Sequence, residues 1–330
     1  MKRLLRISIL ILALLAGGCA VKPTVSRLRA AQANPSRDVA AAVEQAQGGS
    51  LRLNGTYRIR QPVSFDGLKA VLCEPGTWIK YIGPRTDEPV IELGSCGWVE
   101  HLNVACYYNA KGIHGRDFKY GERLTDVRVH EPNGYGVFLE RCWGAEIDGL
   151  WVDAPDGVAL KLDEHNGGWV RGLIVEREYR EWSGPVAEVN GSSGRYTDWL
   201  IGAAYNPDGA AVEVTGSCKT FQNIRFEGGD HGTIVRYGIR FRPDRTGKTT
   251  GHVVRGFHAE TMDGSGLEAA VKVVPGKNGT SVSASGVSIP GGTWKGRASG
   301  NGVVLDGAED AGGNYGGPGR WKLPVMRTED

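Results

Sequence analysis

Asp126-Val127-Arg128-Val129, Gly149-Leu150-Trp151-Val152 and Gly172-Leu173-Ile174-Val175 follow one another at intervals of 23 residues. Each has a small or turn-forming residue, then an apolar position, an outward position and a second apolar position. The same pattern extends back to His101-Leu102-Asn103-Val104. Forward, it continues through Trp199-Leu200-Ile201-Gly202, Asn223-Ile224-Arg225-Phe226, Gly256-Phe257-His258-Ala259 and Gly286-Val287-Ser288-Ile289. Its core positions, Leu102, Val127, Leu150, Leu173, Leu200, Ile224, Phe257 and Val287, are spaced 25, 23, 23, 27, 24, 33 and 30. A second column runs in phase with it: Val90, Ile113, Val137, Val158, Val186, Val212, Ile239, Val271 and Val303. Two strand columns with one shared period are the mark of a solenoid, and the drifting interval fits coils of constant core with loops of variable length.

The composition agrees. Glycine supplies 50 of 330 residues without a Gly-X-Y period, and prolines number only 15, which excludes collagen. A hydrophobic content of 40% can fill a core, and 39 basic against 37 acidic residues lack the charge excess of a nucleic-acid binder. One amphipathic helix is expected over residues 36–46, with Asn34 and Ser36 as candidate caps and Val39, Ala42, Val43 and Ala46 on one face. Gly48-Gly49 ends it. Placed there, the helix would cover the bare N-terminal edge of a sheet.

Lys2, Arg3 and Arg6 precede an apolar run over residues 7–15, too short for a permanent membrane anchor. The run ends in Ala16-Gly17-Gly18-Cys19, which resembles the lipobox of bacterial lipoproteins. That resemblance implies cleavage before Cys19, lipid on its thiol and membrane attachment through it. Ala20, where an aspartate would retain the protein at the inner membrane, implies an outer-membrane lipoprotein facing the periplasm or the surface. The alternative is an ordinary signal peptide with an incidental cysteine. The expected organisation is 1–18 signal peptide, 19–35 tether, 36–305 β-helix and 306–330 Gly-rich tail. Cys73, Cys96, Cys106, Cys142 and Cys218 are odd in number and lack CxxC spacing, so they read as small hydrophobes rather than zinc ligands or a full disulfide set.

The opening unit carries a family likeness: a helix with Ala40-Ala41-Ala42, then Gly48-Gly49-Ser50-Leu51-Arg52-Leu53, Gly55-Thr56-Tyr57-Arg58-Ile59 and Pro62-Val63. It resembles the right-handed parallel β-helix proteins of the pectin-lyase superfamily, including tailspike-like members. The resemblance implies an all-β fold, a single-stranded right-handed parallel β-helix with an N-terminal capping helix. Activity does not follow from it, because the superfamily includes lyases, hydrolases, esterases, epimerases and non-catalytic binders.

Parallel stacking turns a sequence column into a spatial line. The residues just after the first strands are His130, Asp153, Glu176, Ala203, Glu227 and Glu260, four of them carboxylates. The loops that follow carry Arg180, Trp182, Tyr205, Asp230 and His231, a mixture of aromatic, basic and acidic groups suited to a sugar groove. Carboxylates on adjacent coils would stand roughly 5 Å apart and on next-nearest coils roughly 9–10 Å apart, matching retaining and inverting glycoside hydrolases. Glu227, Glu260, His231 and Asp230 are the catalytic candidates, and Glu176, Arg180, Trp182, Tyr205, Arg236 and His258 the substrate-binding ones. The competing reading is a solvated acidic ladder neutralised by Arg128, Arg225, Arg236 and Arg255. Asp230-His231-Gly232 and Arg236-Tyr237-Gly238-Ile239-Arg240 resemble elements of polygalacturonases, although that family's paired-aspartate elements are absent. No cofactor is required; Asp148, Asp153, Asp156 and Asp163 form a calcium alternative. The expected function is a lipid-anchored lyase or glycoside hydrolase acting on an acidic polysaccharide. The alternative is a non-catalytic β-helix that binds glycan or a partner protein.

Overall fold

The computed structural model describes residues 30–32, 38–176, 184–202, 204–227, 234–259, 269–274, 276–289, 292–293, 299–300 and 303–305. The chain winds as a parallel β-solenoid. Among the described residues, one face is a nine-stranded sheet running from Val63–Ser64 to Ala269–Val273, with every neighbouring pair parallel. The other is a 17-stranded sheet that begins with Ala30–Gln32, which pairs with Ser50–Leu53. The two sheets are called the second and the first, in the order of the sequence columns.

In the early coils the first sheet consists of separate short strands, such as Trp98–Glu100 and Asn103–Ala105. From Arg123–His130 onward the coils contribute long strands, each bent at a left-handed residue three or four places before its end. The bend residues are His101, Asp126, Gly149, Gly172, Asp198, Asn223 and Gly256, all with φ between 49° and 71°. Glycine, asparagine and aspartate tolerate this left-handed conformation. The bends also bond between coils: His101 Nδ1 lies 2.7 Å from Asp126 Oδ2, and Asn223 Nδ2 donates to Asp198 Oδ1 at 3.0 Å.

This line of bends corrects the expected register. Asp198, not Trp199, takes the bend position of Gly172, so Trp199 and not Leu200 stacks on Leu173 and Ile224. Trp199 is buried and Leu200 is half-exposed. In the second sheet Ile91, Leu160 and Ala187 pair in the column expected to hold Val90, Val158 and Val186. Those valines are buried one or two places away, because wholly apolar strands of this kind do not alternate and give no phase. Val303 pairs with Val282 of the first sheet instead of closing the second.

The helix is Val39–Ala46, capped by Asp38, whose Oδ1 accepts from the Ala40 backbone N–H at 2.9 Å. It therefore starts three residues later than expected; Asn34 and Ser36 lie outside the described residues. Val39, Ala42, Val43 and Ala46 are its buried face. Cys73, Cys96, Cys106 and Cys142 are buried free thiols, and Cys218 is exposed. Burial pushes the first, second and fourth of these thiols up to about 12.

A polar group also lies inside the solenoid. His165 Nδ1 meets the Tyr196 hydroxyl at 2.7 Å, His252 Nε2 the Gly216 carbonyl at 3.0 Å, and the buried Lys219 ammonium donates to the Thr215 carbonyl at 3.1 Å and to that of Gly191. Burial pushes His165 down to about 4; burial, reinforced by the Lys219 charge, pushes His252 down to about 3. Both histidines are neutral in the fold at neutral pH, whereas the unfolded chain takes up their protons below its ordinary value of 6.5. Stability should therefore fall as pH drops from 6.5 towards 3. The loss should reach several kcal/mol, because each tenfold difference in proton affinity between the folded and unfolded chain is worth about 1.4 kcal/mol. Urea unfolding at stepped pH measures this, and His252→Gln should flatten the slope.

Candidate active site

The outer surface of the first sheet is organised in lines, because parallel register repeats each outward position one coil further on. One line is Asn103, Arg128, Trp151, Ile174, Leu200, Arg225 and His258. Two residues further along each strand runs Ala105, His130, Asp153 and Glu176. Gly202 and Glu227 continue it, fixed by bonds from Gly202 N to Val175 O (2.7 Å) and from Glu227 N to Ile201 O (3.0 Å). Asp153, Glu176 and Glu227 thus fall on one line as the sequence leads one to expect, with one correction. The position between Glu176 and Glu227 is Gly202, not Ala203, a consequence of the one-residue shift at Trp199.

That glycine stands between two carboxylates. A methyl group at position 202 would lie 3.9 Å from Glu176 Cγ and 3.2 Å from the Val175 carbonyl oxygen. With no side chain there, a gap one coil wide separates Glu176 from Glu227. Glu227 Oε1 is 3.4 Å from Arg225 Nη2. Beside this pair lies a groove of about 680 Å³, lined by Asp198, Leu200, Asn223, Arg225 and His258 among others.

Three coils closer to the N-terminus, Asp153 Oδ2 accepts from Arg128 Nη2 at 2.9 Å and meets His130 Nδ1 at 2.8 Å. The Arg128 guanidinium lies 3.9 Å from the Trp151 ring centre. Two of the carboxylates in the acidic line are therefore matched by arginines, as the neutralised-ladder reading expects.

Glu176, Glu227 and His258 consequently share one face. Tyr205 opens the strand Tyr205–Gly216, and Arg236 lies on Ile234–Arg242, so both belong to the second sheet. The Arg236 guanidinium sits 5.4 Å from the Tyr237 ring centre. Arg240 is held by Glu213 through Nε–Oε2 at 3.0 Å and Nη2–Oε1 at 2.5 Å, far along that sheet. Arg180, Trp182, Asp230, His231, Glu260 and Cys19 lie outside the described residues. The four aspartates of the calcium alternative do not converge: Asp148 pairs with Arg171, Asp153 with Arg128 and His130, and Asp163 with Asn190. No group among the described residues could hold a metal ion.

One cluster escaped the sequence reading. On the second sheet His114 Nδ1 lies 2.8 Å from Glu92 Oε2, its Nε2 lies 3.5 Å from Glu140 Oε1, and Arg116 Nε donates to Glu140 Oε2 at 3.1 Å. Glu92, His114 and Arg116 border a cleft of about 730 Å³ that also contains Tyr135, whose hydroxyl is pushed up by burial, and Glu122, raised for the same reason. The outward line Glu92, His114, Phe138 and Lys161 becomes readable once the second column is phased on Ile91.

Among known structures, the fold is similar to that of endo-xylogalacturonan hydrolase from Aspergillus tubingensis. The match covers 86% of this chain and 100% of that one, with a TM-score of 0.53 and 12% identity. It is also similar to alginate lyase from Paenibacillus sp. str. FPU-7, over 84% of this chain and 99% of that one, with a TM-score of 0.50 and 9% identity. No family model matches the sequence, and no curated protein matches it. The fold defines the class: a parallel β-helix, the architecture shared with these two structures. Its similar structures include a polysaccharide hydrolase and a polysaccharide lyase.

Proposed function

We propose that the protein is a polysaccharide-cleaving enzyme acting on an acidic glycan, and that its acid–base pair is Glu176 and Glu227. The observation that carries this reading is the Glu176–Gly202–Glu227 arrangement. Two carboxylates two coils apart stand roughly 9–10 Å from each other. That is near the upper end of the separation at which one carboxyl protonates the leaving oxygen while the other activates a water on the opposite ring face. Gly202 leaves the space for sugar and water. Arg225 and His258, on the adjoining line, supply positive charge or hydrogen bonds to a uronate carboxylate. The face also carries half-buried Trp151 on the same line. Both similar enzymes act on polysaccharides by name, which agrees with the reading.

A reducing-end and unsaturated-product assay over polygalacturonate, alginate, xylogalacturonan and neutral glucans tests it. New reducing ends without absorbance from an unsaturated product are the expected outcome on an acidic polymer. Absorbing product would indicate elimination, and the absence of product on every polymer would favour the second reading, a non-catalytic glycan binder. The Arg225–Glu227 and Arg128–Asp153 pairs are the observations on that side.

The lipobox-like Ala16-Gly17-Gly18-Cys19 supports anchoring at the outer membrane of a bacterial envelope. Cys19→Ser should move the protein from the detergent-extracted membrane fraction to the soluble fraction and abolish incorporation of labelled palmitate.

A further inference from the structure

The corner where the chain turns from the second sheet back to the first carries two exposed aromatic side chains. Tyr120 is 74% exposed and Trp143 52% exposed. They belong to successive coils: Trp143 N donates to the Phe118 carbonyl at 3.0 Å, and Gly144 N to the Asn166 carbonyl at 2.7 Å. The Tyr120 ring lies directly against Gly144, where any added Cβ would collide with it, and its hydroxyl reaches to within 3.7 Å of a Cβ position on Gly167. Gly144 and Gly167 both have positive φ, 70° and 80°. Two glycines in consecutive coils thus make a flat bed along the axis. The phenol rests on it along the side of the ring that carries Cδ1 and Cε1, and most of its surface is open to solvent.

The rim of this platform is polar and lacks the excess of positive charge that an acidic polymer would need. Asn166 Oδ1 accepts from Ser192 N (2.6 Å) and Ser192 Oγ (2.5 Å), which orients the amide. Its Nδ2 donors have no partner among the described residues. The charged groups on these turns are Lys119 and Arg141 against Asp117, Glu122 and Glu164, one acid in excess, and Arg141 is bonded to Asp117 at 2.7 Å. Two rings are far too little surface for a stable protein–protein interface, which needs about 800 Å² from each partner. Flat rings with a few oriented amide and hydroxyl groups instead suit one face of a pyranose.

We propose that Tyr120, Trp143 and Asn166 form a glycan-binding platform for a neutral polysaccharide chain, separate from the acidic line of the first sheet. Sugar rings stack on Tyr120 and Trp143, and the Asn166 amide donates to a hydroxyl. The platform does not depend on the proposed catalytic reading, and its test is kept apart from it.

Affinity electrophoresis of the full chain in native gels containing hydroxyethylcellulose, xylan or polygalacturonate makes the measurement. At least one of the two neutral polymers should retard the protein. Tyr120→Leu keeps an apolar cover on Gly144 but removes the flat ring. It and Trp143→Ala should each weaken retardation roughly three- to tenfold, and the pair should abolish it. Tyr120→Phe should bind like the parent, because the ring face and not the hydroxyl makes the contact. Glu227→Gln should also be retarded by the neutral polymer, which separates failure of this site from failure of the catalytic proposal. Circular dichroism should show each variant folded. Migration unaffected by both neutral polymers overturns the proposal, as does equal retardation of parent and folded Tyr120→Leu. Retardation by polygalacturonate alone also overturns it and assigns binding to the first-sheet face.

Discussion

Glu227→Gln should lower turnover on the preferred acidic polysaccharide by at least a hundredfold. Proton transfer by a positioned carboxyl contributes about 10²–10⁴-fold, and the amide keeps the size while removing the proton chemistry. Glu176→Gln should cause a comparable loss, because an acid and a base acting in one step are both required. The double variant should be little worse than either single one. Gly202→Leu would fill the gap beside Glu176 Cγ and should raise KM as well as lower kcat. Initial rates of reducing-end release measure all four variants, with thermal unfolding as the control for folding. If both glutamine variants retain parental rates, the acidic line is a surface ladder and the chemistry lies elsewhere.

The largest expected effect on stability is at Trp199. Its side chain is 1% exposed, edge-on to Tyr196 at 5.6 Å and to Phe221 at 5.8 Å, with Nε1 donating to the Val170 carbonyl at 3.4 Å. Trp199→Ala should cost about 3–5 kcal/mol, since the neighbouring rings and backbone cannot collapse into the space. Leu200→Ala, one residue on but half-exposed, should cost much less, under about 2 kcal/mol. Urea denaturation of the two variants therefore tests the register itself. In a solenoid, where each coil contacts only its neighbours, the Trp199 loss should also make the transition less cooperative.

The two lines of chemistry sit on different parts of one scaffold. The acidic line occupies strand ends of the first sheet, whose backbone is fixed by parallel bonds on both sides. The aromatic platform occupies the opposite transition, from the second sheet to the first, where the chain must turn and glycines permit tight stacking. Cleavage at one place and retention of polymer at another would be served by such a division.

The sequence by itself determined the solenoid, because a constant core repeated at about two dozen residues leaves no other economical way to bury every coil. It also determined that Asp153, Glu176 and Glu227 fall on one line, since column membership follows from counting along equivalent strands. The helix face Val39, Ala42, Val43 and Ala46 was legible for the same kind of reason, a clear 3.6-residue period. Its first turn was not, because Asp38, Ser36 and Asn34 are equally good caps in isolation and only packing selects one. Tertiary structure alone decided the register at Trp199. A large apolar residue and the leucine beside it are equivalent in a pattern, and the left-handed bend at Asp198 is what assigns Trp199 to the core. That single choice put Gly202 rather than Ala203 between Glu176 and Glu227. Distances across coils, such as His114 to Glu92 and Glu140 or Tyr120 over Gly144, were likewise invisible, because they join residues more than twenty positions apart whose side-chain directions are set only when the coils stack.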